Sequence, residues 1–191
     1  SNNSGARVNV FGTQSGVYNS GDYLNAIGYQ AGYSSSGDNV VAIGQGSCYG
    51  NSGNDVNAIG RSSAASNTGT YVIALGFNAA YQNSGNGVFA AGIEAARENA
   101  ALNVTAIGEN AAYKNLGDNV IGIGYHALYN GADEVPNQGS NVIALGVEAA
   151  AGNASGDVIA LGSQSSYNNQ GTTIISIGGQ SCSGNVGNFV T

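Results

Sequence analysis

A short apolar segment closed by glycine recurs along the whole chain, and its spacing leaves few architectures open. The closing glycines are Gly12, Gly28, Gly44, Gly60, Gly76, Gly92, Gly108, Gly124, Gly146, Gly162 and Gly178. Each step is 16 residues, except the 22 between Gly124 and Gly146. A six-residue insertion, Gly131-Ala132-Asp133-Glu134-Val135-Pro136, accounts for the long step, and the pattern resumes in phase at Asn137. With each glycine as position 0, position 3 is always Ala or Ser, position 7 is mostly Asn and position 9 is mostly Gly. Position 12 is Val, Leu or Ile, position 14 is mostly Ala, and position 15 is Ile or Leu except at Ala91.

Sixteen residues with central Gly and Asn are too few for two helices, and Gly, at 32 of 191 residues, is costly inside any helix. The repeat fits two short strands joined by two turns, with Asn and Gly supplying positive φ. The β-branched run at positions 12 to 15 is a strand. Stacked repeats place identical positions in rows about 4.8 Å apart, so eleven coils make a rod roughly 50 Å long. One repeat cannot bury its own apolar face, whereas a stack can. The expected fold is therefore all-β: a parallel β-solenoid of about 11 coils with a 16-residue repeat, occupying residues 1–191 as a single repeat domain. The chain begins at Ser1 and contains no Met, so it reads as a fragment of a longer fibre.

Composition removes other classes. Collagen is excluded by a single proline and by the absence of a three-residue glycine period. Disorder is opposed by the 42% of apolar residues. No apolar run approaches the length of a membrane span, so no membrane insertion is expected. A net charge of −7, from 11 acidic and 4 basic residues, opposes nucleic acid and anionic membranes as partners.

The strand is apolar on both faces. In Val40-Val41-Ala42-Ile43, Val40 and Ala42 point one way and Val41 and Ile43 the other. A solenoid with one interior leaves the second face as a stripe along its outside, and a stripe of that length marks an interface. The small residue at position 14 assigns the Val/Ala face to the interior. The interface row is then Ile27, Ile43, Ile59, Leu75, Ile107, Ile123, Leu145, Leu161 and Ile177. Asn25, Asn57 and Thr105 interrupt position 13 and leave the reverse assignment open. Either way the rods are expected to associate side by side.

Repeats such as Asn25-Ala26-Ile27-Gly28-Tyr29-Gln30-Ala31-Gly32 and Val40-Val41-Ala42-Ile43-Gly44 resemble the head repeats of YadA-like trimeric autotransporter adhesins. They are similar also to repeats of phage-type tail fibres, the closer match in repeat length, since adhesin heads typically repeat every 14 residues. The resemblance covers residues 9 to 187. It implies a left-handed parallel β-roll assembled as a parallel homotrimer, with the inner strands forming the trimer core. It also implies an extracellular fibre, on a bacterial cell surface or a phage-like particle, attaching to a cell-surface glycan or protein receptor.

Among residues that carry chemistry, six tyrosines share position 5: Tyr33, Tyr49, Tyr81, Tyr113, Tyr129 and Tyr167. They form either a platform for sugar rings or partner side chains, or a row that covers the edge of the roll. Asp133 and Glu134 in the insertion offer a contact for a cation or a basic partner, although two carboxylates are too few for a Ca²⁺ cage. The Asn row at position 7 is expected to satisfy turn backbone groups. Asp22 and Asp38, both at position 10, read as turn residues rather than a glycosidase pair. Glu94, Glu98 and Glu109 with Arg97 read as a solvated ion-pair patch. His126 reads as a surface residue with no nucleophile and carboxylate assigned to it. Cys48 and Cys182, both at position 4, lie eight coils apart, about 38 Å, too far for a disulfide.

The expected function is a non-enzymatic fibre segment that adheres by multivalent contacts, with no cofactor and no metal. A structural shaft that spaces a separate binding tip is the alternative, and a β-solenoid glycan hydrolase the third.

Overall fold

The computed structural model describes residues 2–131 and 138–188. Asp133 and Glu134 lie outside the described residues. Eleven strands run in chain order: β1 (Asn9–Phe11), β2 (Leu24–Ile27), β3 (Val40–Ile43), β4 (Val56–Ile59), β5 (Val72–Leu75), β6 (Val88–Ala91), β7 (Val104–Ile107), β8 (Val120–Ile123), β9 (Val142–Leu145), β10 (Val158–Leu161) and β11 (Ile174–Ile177). They form one parallel sheet in sequence order. Partners are 16 residues apart, as in Val40↔Val56, and the pairing stays in phase across the insertion, where Val120 faces Val142. The described residues contain no helix.

The architecture is a β-solenoid of about ten turns, since eleven strands in sequence order enclose ten steps. The expectation of about eleven coils counted glycines. The last glycine, Gly178, opens a segment that leads to no further strand among the described residues.

The expected second strand of each repeat is absent among the described residues. Positions 1 to 6 form instead a run of turns whose even members have left-handed backbone, as at Gln30 (φ 55), Gly32 (φ 62) and Ser34 (φ 52). The alternation has a hydrogen-bonding cause. Odd residues donate locally, Ala31 N–H to Gly28 O and Tyr33 N–H to Gln30 O, both at 3.3 Å. Even residues turn their N–H along the rod axis, alternately down and up. Gln30 donates to Thr13 O at 3.0 Å, Gly32 to Ser47 O at 2.8 Å, Ser34 to Val17 O at 2.8 Å and Ser36 to Asn51 O at 2.8 Å. A left-handed non-glycine residue costs about 1–2 kcal/mol. Leaving a buried N–H unpaired costs a similar amount or more, and one coil after another accepts the strain. The non-strand half of the rod is thus also a ladder.

The closing glycines are required by both conformation and space. Their φ values run from +112° to +139°, outside the range of side-chain-bearing residues. A Cβ on Gly60 would stand 2.4 Å from the carbonyl oxygen of Gly76 in the next coil. Both constraints act from Gly12 to Gly162, and at Gly178 the conformation alone remains, since a Cβ there meets nothing within 4 Å.

The core is a narrow file of small side chains. Position 12 (Leu24, Val40, Val56, Val72) and position 14 (Ala26, Ala42, Ala58, Ala74) are buried from coil to coil, facing Ala31, Ala79 and their equivalents at position 3. The Val/Ala face is therefore the interior. The hydroxyls of Ser15, Ser47 and Ser63 at position 3 donate to the position-14 carbonyl, as from Ser63 to Ala74 O at 2.7 Å, whereas Ser165 and Ser181 donate to the closing glycine of their own coil. Volume is exchanged locally. Gly122 replaces the usual Ala, and Leu128 fills the vacated space: a Cβ on Gly122 would lie 2.9 Å from Leu128 Cδ1. Leu24, larger than the usual Val, meets Gly32 in the same way.

Cys48 and Cys182 are free thiols, Cys48 fully buried and Cys182 half-buried. Burial pushes the Cys48 thiol up to about 12, against an ordinary value of 9.0. The unfolded chain then releases this proton before the folded one does. Its contribution to stability is whole below pH 9 and is lost as pH rises from 9 towards 12, with a limiting slope of about 1.4 kcal/mol per pH unit. Cys48→Ala should remove that slope, since Ala occupies position 4 in other coils. Urea unfolding of both proteins between pH 8 and 11 checks this, with parallel curves contradicting it.

Candidate functional site

The position-5 row lies on the turn side of the rod and is built by the same axial bonds that set the coil spacing. The Tyr33 and Tyr49 rings stack with centroids 5.0 Å apart and planes 6° apart, and Tyr18 packs its edge on Tyr33 at 5.5 Å. Further along, Tyr113 stacks on Tyr129 at 5.3 Å. Arg97 takes the place of a tyrosine in this row. Its guanidinium carbon sits 5.5 Å from the Tyr81 ring and 5.6 Å from the Tyr113 ring. Tyr81, Arg97, Tyr113 and Tyr129 therefore form one continuous column. Two alanines interrupt the row: Ala151 separates Tyr129 from Tyr167, and Ala65 separates Tyr49 from Tyr81. The gap at Ala65 opens a notch of about 500 Å³.

The ion-pair patch is part of the same column. Arg97 bonds Glu94 at 2.9 Å and approaches Glu98 at 3.3 Å, and Lys114 lies 3.7 Å from Glu98 and 5.2 Å from the Tyr113 ring. All four side chains are half-buried or more exposed, so the pairs fix geometry more than they add stability. Glu109 is exposed and makes no ion pair among the described residues. His126 is half-buried, not a bare surface residue. Its ring lies between Tyr125, at 3.9 Å, and Tyr129, at 4.2 Å, with Asn110 Nδ2 3.4 Å from its Nε2. The sequence placed Arg97 and His126 outside the tyrosine row because neither residue type announces stacking; the shared position 5 of Arg97 was the available signal.

Asp22 and Asp38 act on the backbone. Asp38 Oδ1 accepts from the Asp22 N–H at 2.7 Å, and Asp22 Oδ1 accepts from the Ala6 N–H at 2.7 Å. Asn54, Asn86 and Asp118 make the same bond in other coils. Position 10 therefore ties the start of one turn to the next coil.

The Asn row at position 7 is a buried ladder. Where the preceding position 7 is also Asn, Nδ2 donates both to the position-9 carbonyl of its own coil and to Oδ1 of that Asn: Asn83 to Gly85 O at 2.7 Å and to Asn67 Oδ1 at 2.9 Å. The same pair of bonds recurs at Asn67, Asn99 and Asn169. Ser35 breaks the ladder. Its hydroxyl and the Asn19 Oδ1 below it are both buried without a partner. Ser35→Asn should restore the missing rung and raise stability by about 1–2 kcal/mol. Denaturant unfolding measures the change, and a destabilised variant would contradict the ladder.

The opposite face of the sheet is apolar and open. In the interface row Ile27 is 49% exposed, Ile59 47% and Ile177 69%, while Ile43, Leu75 and Leu161 are half-buried. Position 13 adds Ile73, Ile121, Ile143, Ile159 and Ile175 to the same stripe. Shallow apolar depressions lie on it between Ile143 and Ile175 and between Val10 and Ile27.

Among the described residues no three His, Cys, Asp or Glu side chains are grouped to hold a metal ion, and no helix is long and apolar enough to cross a membrane. No family model, curated protein or solved structure matches the chain.

Proposed function

We propose that this chain is the adhesive segment of a trimeric surface fibre, a left-handed roll in which three parallel copies meet through their Ile/Leu stripes. The stripe carries the reading. It runs through β2 to β11 on the face turned away from the interior, and an apolar surface of that length is stabilised by burial at about 25 cal/mol per Å². Association through it leaves the aromatic columns facing outward on each of three copies. Weak contacts at one column then add across the fibre by avidity. The fibre stands outside a bacterial cell or on a phage-like particle, its ligand is a cell-surface glycan or protein, and no catalytic step is involved.

The shaft is the second reading, favoured by the Asn ladder, continuous from Asn51 to Asn115, and the invariant glycine row, which make the rod stiff. Binding of the isolated chain to a glycan array and to whole cells separates the two. The adhesive reading expects retention that falls when Tyr33, Tyr49, Tyr113 and Tyr129 are together replaced by Ser, with the rod still folded. Absence of binding to every surface supports the shaft.

A further inference from the structure

We propose that the notch at Ala65 is a binding site for one acidic sugar ring, a hexuronate residue of a polysaccharide. The inference rests on the adhesive reading and names the ligand of one site within it. The geometry begins with the gap. Stacked tyrosines one coil apart have centroids 5.0 Å apart, so Tyr49 and Tyr81, two coils apart, leave roughly 10 Å between ring planes by the same repeat. A pyranose needs about 3.5–4 Å of van der Waals distance on each side, and fills that space once. The outward faces of both rings are already occupied: Tyr33 covers the far face of Tyr49, and Arg97 covers the far face of Tyr81. Their free faces therefore point at each other across Ala65, whose methyl forms the floor.

The wall supplies the charge. Arg61 lines the notch with its guanidinium carbon over the Phe77 ring, 4.3 Å from the ring centroid. It makes no ion pair among the described residues. Residues 60–91, two full coils, contain no Asp or Glu, and Arg61 is their only charged side chain. The carboxylate that reaches the notch lining is Glu94, whose Oε1 accepts from Asn78 Nδ2 at 3.3 Å, and its charge is already paired with Arg97 at 2.9 Å, so Arg61 is the unpaired charge of the site. A planar guanidinium beside two open aromatic faces recognises a carboxylate attached to a ring. Gln45 and Ser62 on the same wall are placed to bond ring hydroxyls. An acidic peptide would offer the carboxylate but no hydroxylated ring to fill the gap.

The test titrates the full chain with a tetragalacturonate, its methyl ester and a glutamate-rich peptide, using calorimetry. Binding of the tetragalacturonate at one site per chain is expected, weakened roughly tenfold or more by Arg61→Gln and by esterification. Ala65→Tyr should abolish it while the protein stays folded, because Tyr occupies position 5 in six other coils. Absence of tetragalacturonate binding, equal binding of the ester, unchanged binding by Ala65→Tyr, or binding of the peptide alone would each overturn the proposal. Absence of tetragalacturonate binding by a chain that still binds cells or the array sinks the notch and leaves the adhesive fibre standing; absence of binding by the wild-type chain to every surface sinks both.

Discussion

Gly60→Ala should lower the stability of the rod by about 3–4 kcal/mol. Two costs add. The backbone there has φ +135°, a region that costs a side-chain-bearing residue about 1–3 kcal/mol. The new methyl would also meet the Gly76 carbonyl oxygen at 2.4 Å, and relieving that overlap means separating two coils whose spacing is fixed by axial hydrogen bonds on both sides. Because each coil touches only its neighbours, the damage is local in origin and divides the stack. Hydrogen exchange should accordingly show lost protection in β4 and β5 before β9 and β10. Gly179→Ala is the control: its Cβ would meet nothing closer than Ser163 O at 3.8 Å, and its stability should change by less than about 0.5 kcal/mol. Thermal and denaturant unfolding at one protein concentration compare the three proteins, and equal stability of Gly60→Ala would contradict the packing described.

Asn99→Ala should cost about 3 kcal/mol, although it removes a short side chain from a turn. Asn99 Nδ2 bonds Asn83 Oδ1 at 2.8 Å and Ala101 O at 2.9 Å, and its Oδ1 accepts from Asn115 Nδ2 at 3.1 Å. All of these groups are buried in a file where water has no access. Each acceptor stripped of its donor costs about 1–3 kcal/mol, far more than the intact bond contributes on balance. Asn99→Ala and Ser35→Asn thus test one ladder from opposite directions, by loss of a rung and by gain of one. A cost below about 1 kcal/mol for Asn99→Ala would mean that the ladder is incidental to stability.

The period, the strand at positions 12 to 15 and its inward Val/Ala face were readable from the sequence because each is imposed separately on every repeat. A row such as Val40, Val56, Val72 declares a core position by repetition. The Asn row was readable for the same reason, and its local bond to the position-9 carbonyl follows from side-chain length alone. The turn run at positions 1 to 6 was not readable as such. Its left-handed residues include Gln30, Ser62, Glu94 and Ala96, which share no preference for that conformation. They are held there by N–H groups bonded to neighbouring coils, a cause that appears only once the coils are stacked. The exchange of volume between Gly122 and Leu128 was hidden likewise, since the two belong to successive repeats and different rows. The tyrosine row was legible as a row. That Arg97 completes one column and Ala65 opens a notch in it depended on reading the exceptions at position 5 together with their neighbours at position 1, Arg61 and Phe77.

The central claim is that the outward Ile/Leu stripe is covered by two further copies of the chain, and the mass in solution tests it most directly. Light scattering on a size-exclusion column should give a species of three 18.9 kDa chains, persisting on dilution. A variant carrying Ile59→Glu, Ile107→Glu and Ile123→Glu should run as a single chain with its solenoid intact by circular dichroism. A wild-type protein that is monodisperse at 18.9 kDa would contradict the trimeric fibre.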